Sequence, residues 1–293
     1  MPFWFRAVAT IGLIIQGGSV GFALIVPRHF TSILALAAIY MTGFCLMNGA
    51  LTSEFVRKMQ LEADQLAAQQ IQQTLHVQNP ESIPGYELET LYRPYRDVGG
   101  DYFDVIPLSK NRVLFALADV SGKGMPAALL AANIQALVRS MAHIDLSLVS
   151  LAKQINAHLN RYTPSNRFAT AVFVLLNQDS GSVSYVNAGH NSPVLSGSGT
   201  TLFLEATGLP LGLMASAEYQ EGSALVPTGG SLLLFTDGLT DSIGGSEPEK
   251  KLSEILADSQ RRTMSELKAL LNPKYTEDDV TILLLKRARP EIQ

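Results

Sequence analysis

The chain has 293 residues, a formal net charge of -4, 47% hydrophobic residues and one cysteine. That length allows one large core or two modest domains. The absence of any basic run argues against a nucleic-acid groove, and the lone Cys45 excludes both an intrachain disulfide and a zinc site built on several thiolates.

Residues 7–26 and 30–51 carry no charge. At about 1.5 Å per residue, each stretch covers the roughly 30 Å hydrocarbon core of a bilayer. The simplest reading is a transmembrane helical hairpin over residues 1–51. A cleaved signal peptide would be shorter, with a small-residue cleavage site; two buried core helices are the other alternative. Gln16, Gly17, Gly18, Gly21, Gly43 and Asn48 would let the helices approach closely, or are tolerated passengers. Only Pro27, Arg28 and His29 separate the stretches, so both ends lie on one side. Arg6 before the hairpin and Arg57 and Lys58 after it favour the cytoplasm, with Arg28 in the turn as a counterweight.

Residues 52–77 are rich in Glu, Gln, Ala and Leu and lack Gly and Pro, which predicts one helix leading out of the membrane. Met59, Ala63 and Leu66 fall at heptad-like spacing before the seam fades into glutamines. A short coiled coil that makes a homodimer and a solvated linker helix are both open readings. Asn79, Pro80, Ser82, Pro84 and Gly85 end the helix, so residues 52–79 read as a linker and 80–293 as the soluble domain. Strands are predicted at 86–92, 112–120, 168–176, 183–187, 231–235 and 280–285, and helices at 125–141, 146–162 and 264–271. Hairpin turns such as Asp179-Ser180-Gly181 imply antiparallel pairing and an α+β fold.

Four aspartates lie where apolar runs stop: Asp101 in GGDYFD, Asp119 in ADVSGKG, Asp237 in FTDGLTD and Asp278 in EDDVTILLL. One such residue reads as a turn cap. Several unpaired buried carboxylates would each cost several kcal/mol, so a compensating cation is the economical answer. Oxygen-only ligands select Mg²⁺ or Mn²⁺ over zinc, and two such ions activate water for attack on a phosphoryl group.

In order along the chain, RDVGGDYFD, ADVSGKGMPAALL, NRFATAVF, NAGHNSP, GLPLG, LLLFTDGLTD and EDDVTILLL resemble the SpoIIE/RsbU-type serine phosphatases of the metal-dependent PPM family. The likeness runs from about Ile71 onward and leaves the hairpin outside. It implies an α-β-β-α sandwich of two antiparallel sheets with the metal centre between them. By motif, Asp119 would bridge both metals, the Val120 carbonyl would complete one shell, Asp101 would serve the first ion, and Asp237 and Asp278 would hold the second. Asp278 is preferred to its alternative Asp279 because the family ligand stands three residues before a Thr or Ser, here Thr281. Asp104 and Asp241 would have structural or water-bridging roles.

Gly99 and Gly100 would let the backbone pass close to the metal, and Gly122 and Gly124 would permit the turn into the helix near Pro126. Lys123 and that helix N-terminus would attract phosphate, against a reading as ordinary turn chemistry. Arg96 would contact phosphate or pair with Asp97. Ser121 stands where larger relatives place a histidine, and His190 reads as a loop-stabilising residue rather than a proton donor.

The implied function is a membrane-anchored protein serine/threonine phosphatase, with two Mn²⁺ or Mg²⁺ ions and a phosphorylated STAS-type anti-sigma-factor antagonist as substrate. In that family, helix 125–141 would couple partner input to the metals. The rival readings are a catalytically degenerate signalling scaffold and a two-metal hydrolase of nucleotides.

Overall fold

The structure, a computed structural model, describes residues 28–75, 82–109, 111–142, 147–164, 166–197, 199–244, 247–257, 263–271 and 278–289. The first predicted membrane stretch, residues 7–26, lies outside them, as does Arg6. Contacts divide the chain into two compact units, Met1–Asp64 and Gln65–Gln293.

Helix α1 (Arg28–Leu75) runs without interruption through the second apolar stretch and most of the predicted linker. Arg28 and His29, expected in a turn, lie in its first helical turn, because no proline follows Pro27 before Pro80 to break the helix, and Gly43 and Gly49 are tolerated within it. An 18-residue window within its segment Ser32–Gln72 has a mean hydropathy of 1.7, and none of that window is buried, so among the described residues one helix is long and apolar enough to cross a membrane.

The second unit holds ten strands and five further helices among its described residues. The strands are β1 (Tyr86–Arg93), β2 (Asp101–Leu108), β3 (Arg112–Val120), β4 (Ala169–Asn177), β5 (Ser182–Ala188), β6 (Val194–Gly197), β7 (Thr200–Phe203), β8 (Gly222–Leu225), β9 (Ser231–Phe235) and β10 (Val280–Arg287). The helices are α2 (Met125–Ala142), α3 (Leu148–Tyr162), α4 (Asp237–Ile243), α5 (Pro248–Ala257) and α6 (Thr263–Leu270). One antiparallel sheet has the order β1-β10-β9-β6-β7 and the other β2-β3-β4-β5-β8.

Burial on both faces explains why the central strands read as unbroken apolar runs. In β3, Val113, Phe115 and Leu117 point into the core between the sheets, while Leu114, Ala116, Ala118 and Val120 face the helix layer formed by α2 and α3. In β10, Leu283 and Leu285 face the other sheet, and Val280, Ile282 and Leu284 meet α4, α5 and α6. The period-two alternation of a strand thus feeds two cores at once, and the outcome is the α-β-β-α sandwich. Helix α3 presents Leu148, Leu151, Ile155 and Leu159 at helical spacing, and Ser147 caps it by accepting the Ser150 N–H at 3.2 Å.

The strands and helices predicted after Gly85 all form, with ends displaced by a residue or two. The pattern did not predict β2, β6, β7, β8, α4 or α5. Strand β2 carries Asp101, Asp104 and Pro107, which argue against a central strand; it is an edge strand, where proline is tolerated. Each of β6, β7 and β8 has four residues, too few for alternation to register.

One buried charge locks α2 onto β2. Asp104 is fully buried, and Arg139 donates to it from Nε at 2.6 Å and Nη2 at 3.0 Å, with the Val105 N–H as a further donor at 3.0 Å. Removing the guanidinium strands a carboxylate in the core. Arg139→Leu should therefore destabilise the fold by about 2–3 kcal/mol, read as a lower urea midpoint, with Arg139→Lys losing less.

Candidate metal centre

Antiparallel register sets the first pair. Asp101 opens β2 and Asp119 nearly closes β3, and they stand opposite one another as Cα partners. Asp101 was expected at a strand end; it sits at a strand start because its neighbour runs the other way. Asp237 is the first residue of α4, with only Thr236 between it and the end of β9, and Asp278 lies two residues before β10. Strands β9 and β10 pair in the opposite sheet, so these two come from across the sandwich.

Two threonines join the halves. The hydroxyls of Thr236 and Thr281 donate to Asp101 Oδ2 at 2.9 Å and 2.5 Å, and Thr236 Oγ1 accepts the Thr281 N–H at 2.9 Å. Asp101 is 1% exposed; burial, then the charge of Asp119, drives its carboxyl well above the usual range. Thr236 was not assigned a role from sequence, and Thr281 served only to locate Asp278.

The other carboxylates share that electrostatic stress. Asp119 is pushed up to about 7 by burial and by Asp237, Asp278 and Asp279, and Asp237 up to about 6 by burial, Asp278 and Asp241. The adjacent acids in EDDV divide their tasks. Asp279 spends both oxygens on backbone, accepting the Tyr95 N–H at 2.7 Å and the Gly100 N–H at 2.5 Å. Asp278 is one-third exposed and pairs with Lys123 Nζ at 2.9 Å. Among the described residues, no three His, Cys, Asp or Glu side chains are arranged as a ready ligand set. The donors are nonetheless all oxygens, drawn together by the fold and repelling one another, which suits a hard divalent cation.

Lys123 thus sits on Asp278, while Arg96 lies exposed with its guanidinium 5.8 Å from the Tyr95 ring centre. Val120, whose carbonyl was expected in a metal shell, is buried and lies across from Ala169. The loop after it is stapled to Arg167 and Phe168. The Ser121 N–H donates to the Phe168 carbonyl at 2.9 Å, the Phe168 N–H to Ser121 Oγ at 3.0 Å, and Arg167 Nη1 to the Ser121 carbonyl at 2.7 Å. Gly122 has φ +95°, and a Cβ there would meet Arg167 Nη1 at 2.0 Å, so only glycine fits. The NRFATAVF motif was legible as a motif, but nothing in it signalled that Arg167 buttresses the loop after Asp119.

His190 is a staple between the sheets. Its Nε2 donates to the Phe235 carbonyl at 3.1 Å, which fixes Nδ1 as the acceptor of Thr170 Oγ1 at 2.7 Å. Thr170 stands opposite Asp119, and Phe235 lies two residues before Asp237. Burial lowers the imidazole to about 4, so it stays neutral and structural at physiological pH.

Residues 109–288, more than half the chain, match the family described as Stage II sporulation protein E (SpoIIE). Phosphoserine phosphatase RsbU of Bacillus subtilis (strain 168) is 25% identical over 231 residues, covering 75% of this chain and 69% of its own. Phosphoserine phosphatase RsbP of the same organism is 25% identical over 209 residues, covering 68% of this chain and 52% of its own, so the match spans about half of that relative. The crystal structure of the RsbU and RsbW domains of Rv1364c from Mycobacterium tuberculosis superposes with a TM-score of 0.63 at 25% identity, covering 71% of this chain and 63% of that one. The chain belongs to the SpoIIE family.

Clustered carboxylates have a signed effect on stability. With folded pKa values raised above the unfolded ones, the metal-free native state holds protons that the unfolded chain releases, so stability falls as pH rises from about 4 through about 7. Asp119→Asn removes the central charge. In chelator it should stabilise the protein by about 2 kcal/mol at pH 8 and by little at pH 4, measured as the difference in thermal unfolding.

Proposed function

We propose that this SpoIIE-family chain is a membrane-anchored phosphoserine phosphatase that uses two divalent cations, Mn²⁺ or Mg²⁺. The convergence of Asp101, Asp119, Asp237 and Asp278 from opposite sheets onto one acidic cluster, with Lys123 as its salt-bridge partner at Asp278, carries this reading. Asp119 faces the other three and would bridge the ions; Asp101 and the Val120 carbonyl would complete one side, and Asp237 and Asp278 the other. Asp279, committed to the Tyr95 and Gly100 amides, positions the loop instead. When bound, the ions supply Lewis acidity that makes water nucleophilic at neutral pH and offsets phosphoryl charge.

The protein's own groups handle the rest. Lys123, 42% exposed beside Asp278, is placed to exchange that carboxylate for a phosphate oxygen once cations neutralise the acid. Lys123 Nζ lies 5.2 Å and the exposed Arg96 guanidinium 5.8 Å from the Tyr95 ring centre, and Arg96 would supply a second cationic contact. His190 is buried and neutral, which leaves it without the proton of a general acid. The substrate is a phosphorylated protein of the partner-switching kind, a STAS-type anti-sigma antagonist. The hairpin holds the chain in the cell membrane as a multi-pass protein with the phosphatase on the cytoplasmic side, and α1 offers a seam for a homodimer. The complete set of acidic residues weighs against a degenerate scaffold.

Full-length protein in detergent should release phosphate from a phosphoserine peptide only when Mn²⁺ or Mg²⁺ is added. It should leave nucleotides and phosphodiesters intact. Asp119→Asn should lower kcat by about a hundredfold or more. Equal turnover by the variant, or metal-independent turnover by the wild type, would refute the assignment.

A further inference from the structure

At the end of the β1-β10-β9-β6-β7 sheet remote from the acidic cluster, a polar row stands where apolar residues belong. Strand register sets Glu87 of β1, Lys286 of β10, Ser231 of β9 and Ser196 of β6 side by side. Alternation puts the last three on the same face as Leu284, Leu233 and Val194, two residues along each strand, and that face is the one buried under α4, α5 and α6. The serines share the burial, Ser196 at 4% and Ser231 at 9% exposed, yet among the described residues neither hydroxyl has a hydrogen-bond partner. A buried hydroxyl without a partner costs free energy that a valine would not, so two of them side by side point to a group that they receive.

A cavity of about 680 Å³ opens between this row, the end of α5 and the start of α6, and all four residues line it. That volume falls within the roughly 300–1,000 Å³ of small-molecule sites. The cations beside it are unequally committed. Arg287 spends its guanidinium on the Asp179, Ser180 and Val226 carbonyls. Lys286 Nζ donates to Glu89 at 3.2 Å, which uses one of its three N–H groups. Arg289 is exposed and lies over Gly229 in the cavity wall, with its Nε 2.6 Å from where a Cβ there would stand.

We propose that this cavity binds a small hydroxylated molecule that carries an oxyanion, either phosphate or carboxylate. Lys286 and Arg289 take the anion; Ser196, Ser231 and the Glu87 carboxylate take the hydroxyls. Ser231 stands six residues before Asp237. At about 3.3 Å per residue the site is roughly 20 Å from the metal centre, and it does not rest on the reading of that centre.

The test uses the full-length protein in detergent, freed of divalent cations by chelation and dialysis so that no turnover intervenes. Calorimetry measures binding of glucose 6-phosphate and gluconate, which separate phosphate from carboxylate, and of glucose, which has no oxyanion. Urea midpoints report stability. At least one of the two anions should bind with a Kd below about 1 mM, and glucose should bind at least about tenfold more weakly. Lys286→Met should weaken the bound anion by about tenfold or more. The double variant Ser196→Val, Ser231→Val should lose a similar factor while its urea midpoint stays level or rises, whereas a merely structural serine pair would lower the midpoint. Lys286 is partly exposed, so Lys286→Met reports on the site even where the double variant folds poorly. Asp119→Asn should bind the anion as the wild type does. Absence of saturable binding by both anions, equal affinity for glucose, or wild-type affinity in Lys286→Met would overturn the inference. A changed affinity in Asp119→Asn alone would place the anion at the metal centre and overturn it as well.

Discussion

A single carboxylate, Asp101, ties the two halves of this protein together. It belongs to the edge strand of one sheet, yet it accepts hydroxyls from Thr236 and Thr281 of the other. Those two threonines also hydrogen bond to each other, so the ends of β9 and β10 are set by the group that faces Asp119. An acid in that position cannot find water, and burial raises its pKa sharply. The hydroxyl donors offset part of that cost. The sandwich and its acidic cluster are thus one construction.

Opposed to this is the repulsion of acids gathered at one end of the sheets. The scaffold tolerates it because the surrounding elements are over-determined. Three apolar cores bury both faces of each sheet, His190 bridges Thr170 and the Phe235 carbonyl, and Arg167 braces the Ser121 turn. Packing energy accumulated over the whole domain holds together charges that would separate in an isolated peptide. Such stored repulsion favours cation binding, because the free energy a cation recovers is larger where the ligands are already crowded.

The C-terminal turn of helix α1 also reaches the loop before Asp101, where Gln72 pairs with the Gly99 peptide. The apolar segment of the same helix is suited to lipid. Sequence reading took residues 52–79 as a linker helix on account of their Glu, Gln, Ala and Leu composition and the Pro- and Gly-containing stretch that ends it. It had no means of seeing that one of those glutamines is spent on the backbone beside Asp101. Long-range side-chain to main-chain pairs leave no periodic trace.

Much of the rest was legible. Unbroken runs such as Leu232-Leu233-Leu234-Phe235 and Ile282-Leu283-Leu284-Leu285 announce strands buried on both faces, and the spacing of Leu148, Leu151, Ile155 and Leu159 announces a helix. The ordered motifs brought out the family and the four acids, because local turn chemistry and ligand identity are written in adjacent residues. Tertiary structure alone decided that Asp279 serves the backbone while Asp278 stays partly exposed, that Lys123 rests on Asp278, and that Asp104 is neutralised by Arg139. Each of those outcomes depends on which groups the closed sandwich brings within about 3 Å, a distance that no residue spacing along the chain encodes.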